Sequence, residues 1–300
     1  MADTGARTPL TLSVVVPAFD EGDAIEPCLT RLAAQTVPPS RIIVVDNGSR
    51  DDTVARVRRF ADRSPVPVDV LSEPTKGTVH ARTRGYDAVT SDLIGRIDVD
   101  THVEPDWAAR IVDFFTDHGE TYSAASGFCV AYDLPFQDRF ARVHRSLSES
   151  AQTLLDAGGD IDNGRLFGSN MALSRAAWRD VRADLEDSTA KFEDLDLSLT
   201  LTEHGHRIAL VPFLSAPISG RRYLTPIRHY VRYALREMTT YDRHGLPAEK
   251  RKAWVRLATV TMPFYLVMWI PFRAYDPERG SFSMRRLARS VVGARRLGWT

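Results

Sequence analysis

Two carboxylates one residue apart, Asp98 and Asp100, close an apolar run at 93–97. Pro105 follows at once and suits the first turn of a helix, where its missing N–H costs nothing. If 93–97 is a buried strand, the acidic pair sits where a parallel strand ends, the edge at which open α/β sheets bind ligands. Alternation along a strand turns both side chains the same way. Like charges that close are costly unless a cation lies between them. Magnesium takes one or two carboxylates plus substrate phosphates, so magnesium or manganese on a phosphorylated ligand answers that need. A solvated acidic turn would have the same sequence, and only the surroundings decide. A second acidic pair, Glu193–Asp194, lies among apolar Phe192, Leu195, Leu197 and Leu199. Acids are favoured at a helix start by its dipole, which accounts for nearby Asp196 better than for this pair.

The elements that must position these groups are legible in order. Residues 10–16 read as a buried strand closed by Pro17, and 18–22 as a turn into a helix over 23–35. A second strand, 41–45, runs into Asp46-Asn47-Gly48-Ser49, and Asp51 or Asp52 caps the next helix. A short strand at 68–71 precedes Lys76-Gly77 and a helix with Val79, Arg82, Tyr86 and Val89 on one face. Strand–helix alternation four times over predicts a doubly wound, largely parallel sheet. Further on, 121–130 is expected as a strand and 135–155 as a helix with apolar Phe136, Phe140, Val143, Leu147 and Leu154. Residues 156–164 have turn composition, and 206–211 closes the series as a strand. No G-x-G-x-x-G follows the first strand and no P-loop is present. The strand ends instead offer Asp46, Asn47, Asp98 and Asp100, with Lys76, Arg82 and Arg84 near, a set suited to a nucleoside diphosphate.

The ordered series Val-Val-Pro17-Ala18-Phe19-Asp-Glu21, Asp46-Asn47-Gly-Ser49-Arg-Asp-Asp-Thr53, Lys76-Gly77 with Arg82 and Gly85, then Asp98-Val-Asp100 resembles family 2 glycosyltransferases of the GT-A fold. The resemblance covers about 14–212. It implies a Rossmann-like, mostly parallel sheet flanked by helices over residues 10–220, followed by a helical extension over 221–300. It also implies that Pro17, Ala18, Phe19, Glu21, Asp46 and Asn47 hold the nucleoside of a nucleotide-sugar donor. Asp98 and Asp100 would bind the metal on its diphosphate. Asn47 stands where many members carry a second aspartate, which leaves the base open. Gly127 and the Gly-x-Asn segment with Ser169 and Asn170 are implied at the acceptor side, although an ordinary loop and strand would read the same. Asp194 would be the general base, with Glu193 as its orienting neighbour. Lys76 and Arg82 are candidates for phosphate contacts or plain helix charges. The implied reaction is an inverting, metal-dependent transfer to a hydroxyl. A sugar-nucleotide-binding protein without turnover and a nucleotidyltransferase are the alternatives, and the Glu193–Asp194 pair favours sugar transfer over the latter.

Composition bounds the rest. The chain has 300 residues, 39 Lys plus Arg and 39 Asp plus Glu, so net charge points to no nucleic-acid partner. Cys28 and Cys129 lack metal-ligand spacing and read as reduced thiols of a cytoplasmic protein. Residues 1–9 carry no apolar signal segment and read as an unstructured lead-in. None of the eight histidines falls in an H-x-x-x-H set, so zinc is not indicated; His102, two residues past the acidic pair, is a minor candidate for touching the metal. After Pro217 the chain turns basic and aromatic, and Arg221 or Arg222 could reach the diphosphate. Residues 257–272 are mostly apolar, interrupted by Pro263 and Pro271, and short for a span of about twenty residues. Trp254 and Trp269 with nearby arginines suggest an interfacial helix; a helix buried on the sheet is the competing account. From residue 273 onward seven Arg face Asp276 and Glu278, a surplus suited to anionic headgroups. The expectation is peripheral contact with the inner face of the cell membrane and a lipid-linked or envelope glycan as acceptor.

Overall fold

The computed structural model describes residues 9–293. The expected lead-in at 1–8 and the Arg295–Arg296 pair lie outside the described residues. Seven strands form one sheet: β1 (Leu12–Ala18), β2 (Arg41–Asp46), β3 (Val68–Ser72), β4 (Leu93–Ile97), β5 (Ala124–Ser126), β6 (Asn170–Ser174) and β7 (Ile208–Leu210), in the order β3-β2-β1-β4-β6-β5-β7. β1 is parallel to both β2 and β4, β6 runs antiparallel between β4 and β5, and β5 and β7 are parallel. Chain order reverses at β1, so β2 and β4 diverge on either side of it and open a crevice at their carboxyl ends. Because β6 is antiparallel, its first residue meets the last of β4, with Asn170 opposite Ile97.

The strands form because Val and Ile runs can be buried on both faces. Val14 and Val16 pack with one apolar layer and Val15 with the other. The first layer is closed by α1 (Gly22–Ala33), α2 (Thr53–Ala61) and, past α3, by α4 (Trp107–His118). The second is closed by α3 (Thr78–Ala88) and, after the long α5 (Gln137–Asp156), by α6 (Arg175–Val181) and α7 (Glu193–Glu203). Past residue 220 come α8 (Ile227–Arg243), α9 (Pro247–Arg256), α10 (Met262–Ala274) and α11 (Met284–Gly293), with a two-stranded hairpin at 275–282. Leu195 of α7, Met238 and Tyr241 of α8 and Ala253 and Leu257 share a third cluster that ties these helices to the sheet domain.

Four local expectations change. Pro17 lies inside β1, opposite Val45, rather than ending it. Pro105 precedes α4, which starts at Trp107. The strand expected over 121–130 shrinks to Ala124–Ser126. The prolines of the tail do not break it: α9, a π turn at Leu257–Thr261 and α10 form one helix, Pro247–Ala274, of 28 residues. That helix lies on α8 rather than on the sheet. Tyr265 stacks on Tyr230 at 4.3 Å, and its hydroxyl donates to the Thr225 carbonyl.

Candidate active site

One end of the crevice, where the sequence places the donor, is built by β1, β2 and the loops after them. Ala18 is opposite Asp46, and the chain then turns through Asp20, a left-handed residue at φ 52°. The Asp20 carboxylate accepts from the Arg50 N–H and its own N–H donates to Ser49 Oγ, so the two loops brace each other. Asp46 Oδ1 accepts from the Ser49 N–H at 3.1 Å. Asn47 spends its whole carboxamide on the following loop: Nδ2 donates to the carbonyls of Glu73 and Thr75, and Oδ1 accepts from the Gly77 N–H. An aspartate could not make those two donations, which gives this departure from the family pattern a structural reason. Phe19 is exposed, with Lys76 Nζ 5.9 Å from its ring centre.

At the end of β4 the acidic pair divides. Asp98 Oδ1 accepts from Arg96 at 3.1 Å and from Arg82 at 3.3 Å. Both arginines also face Glu193: Arg82 pairs with it directly and Arg96 stands 3.8 Å away. Burial pushes the Asp98 carboxyl up, but the two guanidinium groups outweigh it and hold it below its usual value. Burial, then the charge of Arg96, lowers Arg82 to about 10. Asp100 takes a different partner, Arg221 Nε at 2.9 Å, and Arg221 also binds Glu21. Burial carries Asp100 up to about 6 in spite of Arg221.

Each acid of the pair therefore has arginine partners of its own, Asp98 with Arg96 and Arg82 and Asp100 with Arg221, while the charge of Asp98 still raises Asp100. Arg82 is nearly buried and faces the carboxylates of Asp98 and Glu193. Among the described residues no three His, Cys, Asp or Glu side chains converge as a metal set. The donor chemistry still fits a hard cation at Asp100, where a desolvated carboxylate lies beside the carboxylate of Glu21, if substrate phosphates complete the shell. His102 stacks flat on Tyr132 at 3.9 Å between centroids.

The other wall is β6 and the start of α7. Asp194 Oδ2 accepts from the Gly168 N–H at 3.2 Å, and Oδ1 from the Leu195 N–H at 2.9 Å. Glu193, one residue earlier, is locked to the arginine pair. Asp196 is an internal strut between Arg243 and His244, at 2.9 and 3.0 Å. Asn170, expected at the acceptor side, has its carboxamide committed within the fold. It is fully buried, takes the Trp107 Nε1–H at 2.8 Å and donates to the carbonyls of Phe128 and Leu214. Gly127 is likewise enclosed, and a side chain there would overlap the Leu214 carbonyl. Ser169 is partly open, with Oγ 3.3 Å from Cys129 Sγ. Arg96 went unread in the sequence because it sits among apolar strand residues. A lone arginine in such a run, 1% exposed here, was the available signal, since buried charges must be paired.

The family model for glycosyl transferase family 2 matches residues 13–182. A dodecaprenyl-phosphate galacturonate synthase of Rhizobium johnstonii is 33% identical over 100 residues, 32% of this chain and 30% of its own. The glycosyltransferase YibD of Escherichia coli is 32% identical over 94 residues, 31% of this chain and 27% of its own. These matches span about a third or less of the relatives' length. Among solved structures, a mannosyltransferase from Pyrobaculum calidifontis in complex with GDP-Man and Mn2+ has a TM-score of 0.61 at 19% identity, over 96% of this chain and 81% of its own. A glucosyl-3-phosphoglycerate synthase from Mycobacterium tuberculosis with Mn2+ and UDP reaches 0.51 at 20% identity, over 79% and 81%. These likenesses establish the GT-A fold.

Proposed function

The chain belongs to glycosyl transferase family 2, and from that premise we propose that it moves a sugar from a nucleotide-diphosphate donor to an acceptor hydroxyl, with inversion. The observation that carries the reading is the division of labour among the acids. Asp100 is held at the donor side by Arg221, and Asp194 is oriented separately by the Gly168 N–H. Asp194 takes the proton of the acceptor hydroxyl as its oxygen forms the new bond to the anomeric carbon. The bond from that carbon to the diphosphate breaks on the opposite face, so one displacement inverts configuration. Asp100 would hold a magnesium or manganese ion, whose charge offsets that of the departing diphosphate. Arg221, already at Asp100, is placed to meet the same phosphates. Glu193 fixes the arginine pair behind the base, and Phe19, Asp46 and the Asn47-held loop line the nucleoside end.

The acceptor class we favour is a lipid-linked or envelope glycan, with the protein resting on the inner membrane face through its tail. The helix Pro247–Ala274 is long enough to cross a bilayer and contains an 18-residue stretch apolar enough to do so, with a mean hydropathy of 1.4. It is tied to the body along its length, by Lys250 to Asp242, by Arg256 to Glu237 and by Arg273 to the carbonyls of Leu224 and Thr225. That attachment supports a helix lying in the interface rather than spanning it. The test is transfer from UDP- and GDP-sugars with manganese, the product's anomeric configuration being read by NMR. Inverted product supports the reading. Retained configuration, or pyrophosphate released from a nucleoside triphosphate, contradicts it.

A further inference from the structure

Helix α5 carries an apolar stripe that the fold leaves uncovered. Phe140, Val143 and Leu147 are spaced three and four residues apart, which places them on one face, and they and Phe136, the residue before the helix, are all exposed. The helix is anchored by a different side: Ala151 and Leu155 pack on the main core, Ser148 is buried, and His144 stacks on Phe128 at 4.8 Å. The exposed stripe is therefore not what holds α5 in place. At its start Phe136 sits in a left-handed conformation, φ 67°, with its ring 6.4 Å from that of Phe282 in the hairpin after α10. The stripe thus meets the hairpin at Phe282, and the tail beside it exposes further apolar side chains, Leu266, Val267 and Ile270 on α10 and Met284 at the start of α11.

The charges around this surface are mostly positive. Exposed Arg139 borders the α5 stripe, while Arg142 and Arg145 lie on the far side of the helix, and Arg279, Arg285 and Arg289 are exposed on the tail side; Asp138, Glu149, Asp156 and Glu278 are the exposed acids of these segments. The surface also adjoins the crevice. Just before α5, Asp133 accepts from Ser219 Oγ, and Tyr132 stacks on His102, so the root of the helix touches both the segment that delivers Arg221 and the loop after Asp100.

We propose that α5 is a second limb of the membrane-docking surface: its stripe and the tail helix, joined at Phe136–Phe282, together seat the protein on an anionic bilayer with the Asp100 crevice at headgroup level. This rests on the tail contact proposed above and extends it to a part of the catalytic domain. Apolar side chains enter the headgroup–acyl boundary while the bordering arginines meet anionic headgroups. An acceptor displayed on lipid would then reach the crevice from the bilayer plane.

The test is co-sedimentation of the full chain with vesicles of phosphatidylcholine containing about one third phosphatidylglycerol, a surface that attracts basic segments. Phe140→Ser with Leu147→Ser should lower partitioning at least about tenfold. Thermal unfolding and manganese-dependent donor hydrolysis without vesicles should stay at the parental values. If that double variant sediments like the parent while Val267→Ser with Ile270→Ser does not, α5 has no part in docking and the tail reading stands alone. A parent that fails to sediment, or binds pure phosphatidylcholine equally well, overturns the proposal. Donor hydrolysis in the same samples reports separately on the glycosyl-transfer reading.

Discussion

Arg82 and Arg96 face Asp98 and Glu193 with little solvent, so the wall behind Asp194 is a four-charge network. Asp98 is held below its usual value in the folded chain. Its stabilising contribution is therefore fully present above the ordinary carboxylate range and is lost as pH falls through the depressed value. Asp98→Asn should cost roughly 1–2 kcal/mol at neutral pH, discounted because 35% of the side chain meets solvent, and progressively less as pH falls below the ordinary carboxylate range, as read by urea unfolding across that range. Gly168 is the second sensitive point. A methyl there would overlap the Arg96 guanidinium, while its N–H holds Asp194. Gly168→Ala should lower turnover roughly a hundredfold by misplacing Asp194, the proposed base, with donor affinity unchanged in calorimetry. Asp98, Asp100 and Asp194 could be singled out in the sequence because acids at strand ends and among apolar helix residues are conspicuous. Which cation faces which acid could not, since Arg221 meets Asp100 across more than a hundred residues of chain.

The strands and helices of the first half follow from local pattern, because runs such as Val14-Val15-Val16 and Ile42-Ile43-Val44 suit a sheet buried on both faces. Tertiary contacts decided the rest. β5 is short because its neighbours contact it at only three residues. The tail helix survives Pro263 because a π turn ends two residues before it, and its wider winding relieves the ring's clash with the preceding carbonyls. Arg273 then fastens the helix to the chain that leads out of Arg221 by donating to the carbonyls of Tyr223, Leu224 and Thr225. Arg273→Met takes the guanidinium from the Tyr223 and Leu224 carbonyls and leaves Thr225 only the Tyr265 hydroxyl, and should cost roughly 2–3 kcal/mol. Hydrogen exchange should rise in 221–226 and in α10 and stay unchanged in β1 to β4. Uniform protection across the variant would mean that Arg273 does not couple the two.

At the scale of the whole molecule, the reversal of strand order at β1 brings the ends of β1, β2 and β4 into one crevice, and antiparallel β6 brings the Gly168–Asn170 segment to its rim. The antiparallel insertion had no local signature in the sequence, because nothing in 170–174 distinguishes the direction of a buried strand. On the proposed reading the donor is held by the ends of β1, β2 and β4 and the base stands at the start of α7, so removing the base should spare donor binding. The direct test is Asp194→Asn, assayed for nucleotide-sugar affinity by calorimetry and for single-turnover transfer in manganese. Affinity should remain within about twofold while the transfer rate falls by roughly a hundred- to ten-thousandfold. Transfer at the parental rate by a folded, donor-binding Asp194→Asn protein would contradict the assignment of Asp194 as the base.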